Sequence, residues 1–307
     1  TIVPHLTELL GDTHPKVQAA AKSALERVGA VIRNPEVQVL VPLMLKALSD
    51  PNTHTKTCLD TLHETVFQNS VDAPSLALIV PIIQRGLRER SHETRNKAAG
   101  IVGNMCALIT DEKDILPYLD SLSPELKKIL MDPTPSVRTT AAQALGSIVK
   151  GVGAENFEDV IPWLLKKLES DESAVERIGA AQGLSEVLAA LGEGQIDEVM
   201  PDIMYGCRSS RATTREGYLG VFQFLPTAAG SQFESYLGQS LPIIIDGLAD
   251  DTENVRDAAL KAGRVYVDTY ATTHMSFLLP EIEKGIYNDN DRIRACSVEL
   301  LGNLIFR

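Results

Sequence analysis

A β-branched residue recurs along this chain at Val17, Thr55, Thr94, Val137, Val175, Thr214, Val255 and Ile293, at intervals of 38, 39, 43, 38, 39, 41 and 38 residues. Self-similarity at such a period confines a chain to repeat architectures, and a spacing of roughly 40 residues belongs to the HEAT and armadillo class of stacked helix pairs. A second marker keeps the same period: a proline at Pro4, Pro42, Pro81, Pro117 or Pro124, Pro162, Pro201, Pro242 and Pro280. Each is expected near the start of the first helix of its unit, where the missing N–H is not needed.

Within a unit the apolar spacing is helical, as in Val37, Leu40, Val41, Met44 and Leu48 of one first helix and Val137, Ala141, Leu145 and Ile148 of one second helix. Short turns such as Asp50-Pro51-Asn52 and Asp250-Asp251-Thr252-Glu253 carry residues that stop one helix and cap the next. Gly151-Val152-Gly153 and Gly192-Glu193-Gly194 close second helices. Small residues crowd the second helices, for example Ala98-Ala99-Gly100, Ala141-Ala142 and Gly179-Ala180-Ala181, where neighbouring repeats must approach closely. The expected fold is all-α, a HEAT-repeat α-solenoid of about eight antiparallel helix pairs. It is expected as a single array over 1–307, with repeats at about 1–34, 35–71, 72–111, 112–154, 155–193, 194–232, 233–272 and 273–307. Polar capping repeats are not visible at either end, so the array is expected to be an interior piece of a longer solenoid. The fourth interval is the longest, and Pro117, Ser123 and Pro124 predict an extra turn over Tyr118 to Leu122 before the first helix there.

Charge narrows the partners. Lys and Arg total 29 against 41 Asp and Glu, a net charge of −12. Phosphate-backbone affinity needs clustered basic groups, so any RNA contact must be local, and DNA is not an expected partner. Cys58, Cys106, Cys207 and Cys296 are far apart and form no C-x-x-C pair, so neither a zinc site nor a disulfide framework is expected. The longest apolar stretch, Leu76 to Ile83, contains Pro81 and falls far short of the roughly 18 residues of a membrane span.

The most regular polar feature is an acidic turn followed by a cation at the start of the second helix: Lys56, Arg95, Arg138, Arg215, Arg256 and Arg294. Stacked repeats would align these cations with Asp50, Asp132, Asp250 and Asp289 in a structural ladder of charge-assisted hydrogen bonds. Two turns depart from the acidic average. Arg85, Arg88, Arg90, Arg95 and Lys97 surround the third, and Arg208, Arg211 and Arg215 surround the sixth; both are candidates for contact with an RNA backbone or an acidic protein. His54, Cys58 and His63 lie on or near one helix without a second ligand pair, so no metal is expected. Trp163, Phe222, Phe224 and Tyr266 read as packing anchors. No phosphate loop, nucleophile elbow or H-E-x-x-H motif occurs, so neither catalysis nor a cofactor is expected.

Four strings are more specific than the bare repeat: DAPSLALIVPIIQRGLRERSHETRNKAAGIVGNM (72–105), PTPSVRTTAAQALGSIVKGVG (133–153), FEDVIPWLLKKLESDESAVERIGAAQGLSEVLAALG (157–192) and LADDTENVRDAAL (248–260). Together they resemble the central segment of the eukaryotic general-control translational activators, very large HEAT proteins that co-activate the kinase of initiation factor 2 alpha. The same segment of that family is similar to the HEAT portion of fungal elongation factor 3, which is the alternative reading. A transport or phosphatase HEAT scaffold is a further one. The resemblance implies a non-catalytic, cytoplasmic, ribosome-associated regulator of translation under amino-acid starvation or ribosome stalling. Its implied partners are ribosomal protein or rRNA, an ATP-binding-cassette protein, and the initiation factor 2 alpha kinase through a neighbouring region. It supplies no residue-level site that can be carried onto this chain.

Overall fold

The computed structural model describes residues 2–306. Among them every regular element is helical, and the chain divides into two compact units, residues 1–156 and 157–307. No described helix is long and apolar enough to cross a membrane.

The first unit holds four helix pairs: α1 (Ile2–Leu9) with α2 (Pro15–Ala30), α3 (Pro35–Ser49) with α4 (Pro51–Glu64), α5 (Ala73–Arg88) with α6 (His92–Cys106), and α7 (Leu116–Ile129) with α8 (Pro135–Val152). Several helix starts are written locally. Asn34, Asp50, Asp72 and Ser91 accept N–H bonds from Val37, Thr53, Ser75 and Thr94, which satisfies donors the helix itself leaves unpaired. Second helices α4, α6 and α8 pack side by side, with Ala98, Ala99, Ala141 and Ala142 almost wholly buried where backbones approach. The helix α5 between them is apolar nearly all round, and Leu76 to Val80, Ile82 and Ile83 are buried.

The second unit repeats this scheme with α9 (Val160–Leu168) and α10 (Ala174–Leu191), α11 (Glu193–Gly206) and α12 (Ala212–Val221), α14 (Leu237–Gly247) and α15 (Glu253–Tyr270), and α16 (Met275–Ile286) and α17 (Asp291–Ile305). A short helix α13 (Leu225–Ala229) follows α12 and, like it, packs against α10 and α15. The two are one second helix interrupted at Phe222–Phe224, because Pro226 has no N–H to continue the ladder. At Gly217 of α12 an added Cβ would collide with the backbone carbonyl of Leu168, so only glycine permits the α9–α12 approach.

Two expectations are corrected. The fourth first helix α7 runs unbroken through Tyr118 to Leu122, and the extra turn is instead a 3-10 segment just before it, Glu112–Asp114. Most of the periodic prolines also lie well inside their helices: Pro42, Pro81, Pro124, Pro201, Pro242 and Pro280 sit in helix interiors, whereas Pro117 and Pro162 are near a start. In α3 and α5 the helix begins earlier because Asn34 and Asp72 are stronger start signals than a proline downstream. Each interior proline removes one i→i−4 bond, so the register it marks is that of a helix defect and not of a helix start.

Candidate partner-binding turns

The turns joining first to second helices share a bond pattern that explains their composition. Asp12, Asp132, Asp250 and Asn288 each accept the N–H two residues on, from His14, Thr134, Thr252 and Asn290. Such turns favour a short carboxylate or amide side chain. In the sixth turn Ser209 takes that place and accepts from Arg211 N–H at 3.3 Å, so this turn carries no acid of its own.

The residue after the periodic β-branched position closes the same turn from the other side. The Nη1 of Arg95, Arg138, Arg215, Arg256 and Arg294 donates to two carbonyls, those six and five residues earlier, at 2.7–3.2 Å. In the first turn Gln18 donates to Asp12 O. Lys56 is exposed, and its turn is held by Asp50 accepting from Thr53 N–H.

Three arginines also reach into the next repeat. Arg95 pairs with Asp132 and Arg215 with Asp250, the latter in a two-pronged bond of 2.7 and 2.9 Å. Asp50 and Asp289 take no arginine on their carboxylates among the described residues, although Asp289 offers its carbonyl to Arg294. The third is Arg177, which sequence reading missed. It donates to Ser170 O at 2.7 Å and pairs with Glu216 at 2.8 Å, the Arg177 side chain buried and that of Glu216 only 14% exposed. Its signal was present but shifted by one place, because Glu176 occupies the expected position and instead accepts from Lys167 and Ser170.

Those pairings sort the eight candidate contact residues. Arg85 is half-buried, donates to Ala47 O, and has its pKa lowered by burial. Arg88 pairs with Glu125, and Lys97 with Asp60 and Glu93. Arg211 binds Asp171 and Glu169 O, the Asp171 bond raising its pKa. Arg95 and Arg215 are in the ladder already described. Arg90 and Arg208 are exposed and make no side-chain hydrogen bond or ion pair with any described residue. Six of the eight cations are therefore engaged inside the molecule, and the structure leaves two pointing outward. Of the residues weighed as metal ligands, Cys58 faces the core with its thiol pushed up to about 12 by burial, and His63 is exposed.

Two carboxylates give the turns a pH dependence. Burial raises the pKa of Asp250, but bonds from Arg215 and Thr252 N–H outweigh it and hold the group below its ordinary value; bonds from Ser75 and Arg33 N–H do the same for Asp72. A carboxylate depressed in the folded state contributes stability above its unfolded pKa of about 3.9, and that contribution is lost as pH falls through the folded value. The melting temperature should therefore fall as pH drops below about 4, and Asp250→Asn should flatten that acid limb. An unchanged limb in the variant would deny Asp250 this role.

A sequence profile described as "Elongation factor 3/GNC1 HEAT repeat" matches residues 54–159, and one described as "Stalled ribosome sensor GCN1-like, HEAT repeats" matches 154–303. The chain is 47% identical over its whole length to "eIF-2-alpha kinase activator GCN1" of Saccharomyces cerevisiae. The chain belongs to the GCN1-like HEAT-repeat family. Protein ILITYHIA of Arabidopsis thaliana is 57% identical over 312 aligned residues, again 100% of this chain. The chain spans 12% of the length of each of these relatives. The elongation-factor-3 profile stops at residue 159, and the GCN1-like profile carries the rest. The crystal structure of Kap121p bound to Pho4p superposes with a TM-score of 0.57 over 99% of this chain and 34% of that one, at 14% identity, a likeness of fold alone. This GCN1-like segment is thus an all-α HEAT-repeat solenoid.

Proposed function

We propose that this chain is a non-catalytic scaffold segment that helps hold a longer cytoplasmic protein on starved or stalled ribosomes, where that protein promotes activation of the initiation factor 2 alpha kinase. The observation that carries this reading is the match, over the whole of this chain and 12% of the relative, to a yeast protein named as activator of that kinase. The turn edges supply the contact. Arg90 in the third turn and Arg208 in the sixth meet ribosomal RNA or an acidic ribosomal protein, and an ATP-binding-cassette protein is a further partner of the array. The kinase docks through a neighbouring region. An extended array spreads weak contacts along its length, and the shared backbone turns each later contact into an intramolecular one of high effective concentration.

Cosedimentation with purified ribosomes over a salt series tests this. The chain should pellet with ribosomes at low salt. Arg90→Glu with Arg208→Glu should weaken pelleting and reduce the salt slope by about 1 for every phosphate that no longer meets a cation. Arg211→Glu should act less on binding, because Arg211 is already occupied by Asp171. Undiminished pelleting of the double variant would remove both turns from the binding surface. No pelleting by the parent chain would overturn the scaffold reading for this segment.

A further inference from the structure

The sixth turn presents an aromatic ring beside its outward cation. Tyr205 is 82% exposed, near the end of α11. Helical winding continues past that end: Cys207 is in the right-handed helical region, and Arg208 N–H donates to Tyr205 O at 3.0 Å. Residues three apart on such a winding lie on one face, so Tyr205 and Arg208 share a face while Cys207, between them, is buried.

Most of the surrounding carboxylates already have partners. Asp171 of the preceding turn binds Arg211 and Thr213, and Glu169 accepts from Tyr218 Oη. Asp250 of the following turn is held by both prongs of Arg215. Ser209 O and Ser210 O are taken by Arg215, which removes acceptors from the turn itself. Asp202, exposed one helical turn back from Tyr205, and Glu169, bonded through its side chain to a neutral hydroxyl, make no ion pair among the described residues. In a chain of net charge −12, this turn carries Arg208 without a paired carboxylate, close to the exposed Tyr205 ring.

Tyr287 is equally exposed, at 79%, just past the end of α16, where it directly precedes Asn288-Asp289-Asn290-Asp291. The molecule thus contains a second exposed tyrosine, set beside an acidic turn, at the place that Arg208 holds in the sixth turn.

We infer that Tyr205 and Arg208 form a contact for one nucleotide of single-stranded RNA, the base stacking on the Tyr205 ring and its phosphate meeting the Arg208 guanidinium. A tyrosine 82% exposed near a helix end fills no pocket of its own chain, and tyrosines that anchor protein interfaces do so in desolvated pockets. A flat ligand face is what such a ring accommodates, and an unpaired base supplies one, whereas bases in a duplex are already stacked. An acidic peptide would use the cation and gain little from the ring. The inference rests on the ribosome-bound reading for its biological setting, although the contact itself is tested without ribosomes.

Binding of the full 307-residue chain to a fluorescent ten-nucleotide uridine RNA is measured at low salt, with an RNA duplex and a poly-glutamate peptide as comparison ligands. Single-stranded RNA should bind best. Tyr205→Ala and Arg208→Glu should each weaken it on the order of tenfold, and Tyr287→Ala should leave it unchanged. All three positions are exposed, and melting temperatures within about 2 °C of the parent would show that the fold is intact. Absence of RNA binding, an equal effect from Tyr287→Ala, or preference for the duplex overturns the inference. So does poly-glutamate binding that depends on Arg208 but not on Tyr205, which would make the partner an acidic protein. Ribosome pelleting is read in parallel. Pelleting that survives Tyr205→Ala while RNA binding is absent rejects this contact and leaves the scaffold reading standing; the reverse pattern rejects the scaffold reading alone.

Discussion

Replacing Arg177 by alanine should lower the unfolding free energy by about 3–5 kcal/mol, the largest effect expected at any ladder position. The Arg177 and Glu216 side chains are only 6% and 14% exposed. Alanine would leave Glu216 without its cation in a poorly solvated site and would strip Ser170 O of its donor. The cost comes from the group left behind more than from the missing attraction, since an ion pair taken out of water barely offsets its own desolvation. The same reasoning predicts that Arg177→Met combined with Glu216→Leu recovers most of the stability. Arg294, exposed and bonded to carbonyls that water can also reach, should cost about 1 kcal/mol or less as alanine. Urea unfolding followed by helical signal checks the series through the midpoint at unchanged slope. An Arg177→Ala midpoint matching that of Arg294→Ala would show that the buried pair does not hold the second unit together.

Tyr266→Ala should be comparably severe, about 3–5 kcal/mol, or a melting temperature lower by about 6–20 °C. The ring is fully buried in α15 and meets Phe222, Phe233 and Tyr270 edge-on at centroid distances of 6.4, 5.8 and 6.1 Å. These residues come from the interrupted second helix, from the 3-10 segment Gly230–Tyr236 and from α15 itself. The cluster therefore fills the space opened where α12 breaks before α13. The Tyr266 hydroxyl donates to Ser240 Oγ at 2.7 Å, and Ser240 Oγ donates on to Tyr236 O. Tyr266→Phe keeps the ring and removes one bond while Ser240 retains its acceptor, so about 1 kcal/mol, or about 2–4 °C, is expected. Equal melting temperatures for the two variants would mean that the bond, and not the ring, supports the site.

Much of the architecture was legible because its signals are local. Asn34, Asp50, Asp72 and Ser91 start helices by accepting bonds from residues three places away. Gly153 and Gly192 stop α8 and α10 at positive φ of 94° and 92°. The break between α12 and α13 was less legible, since Pro226 is one proline among 16 and the neighbouring apolar residues keep a helical spacing. Arg177 was missed because the ladder slips by one position in the fifth repeat, and a carbonyl acceptor leaves no mark on sequence.

The outward face was the least legible part. Arg88 and Arg90 look alike in the chain, two residues apart, yet Glu125 neutralises the first and nothing described neutralises the second. The sequence by itself determined the helix pairs, their period and the capped turns, because helix starts and stops depend on bonds between residues two to six apart. Tertiary structure decided which cations are available to a partner. Their counter-charges come from neighbouring repeats, 35 residues away for Arg215 with Asp250 and 37 for Arg95 with Asp132, and only stacking brings those groups to 2.7 and 2.8 Å.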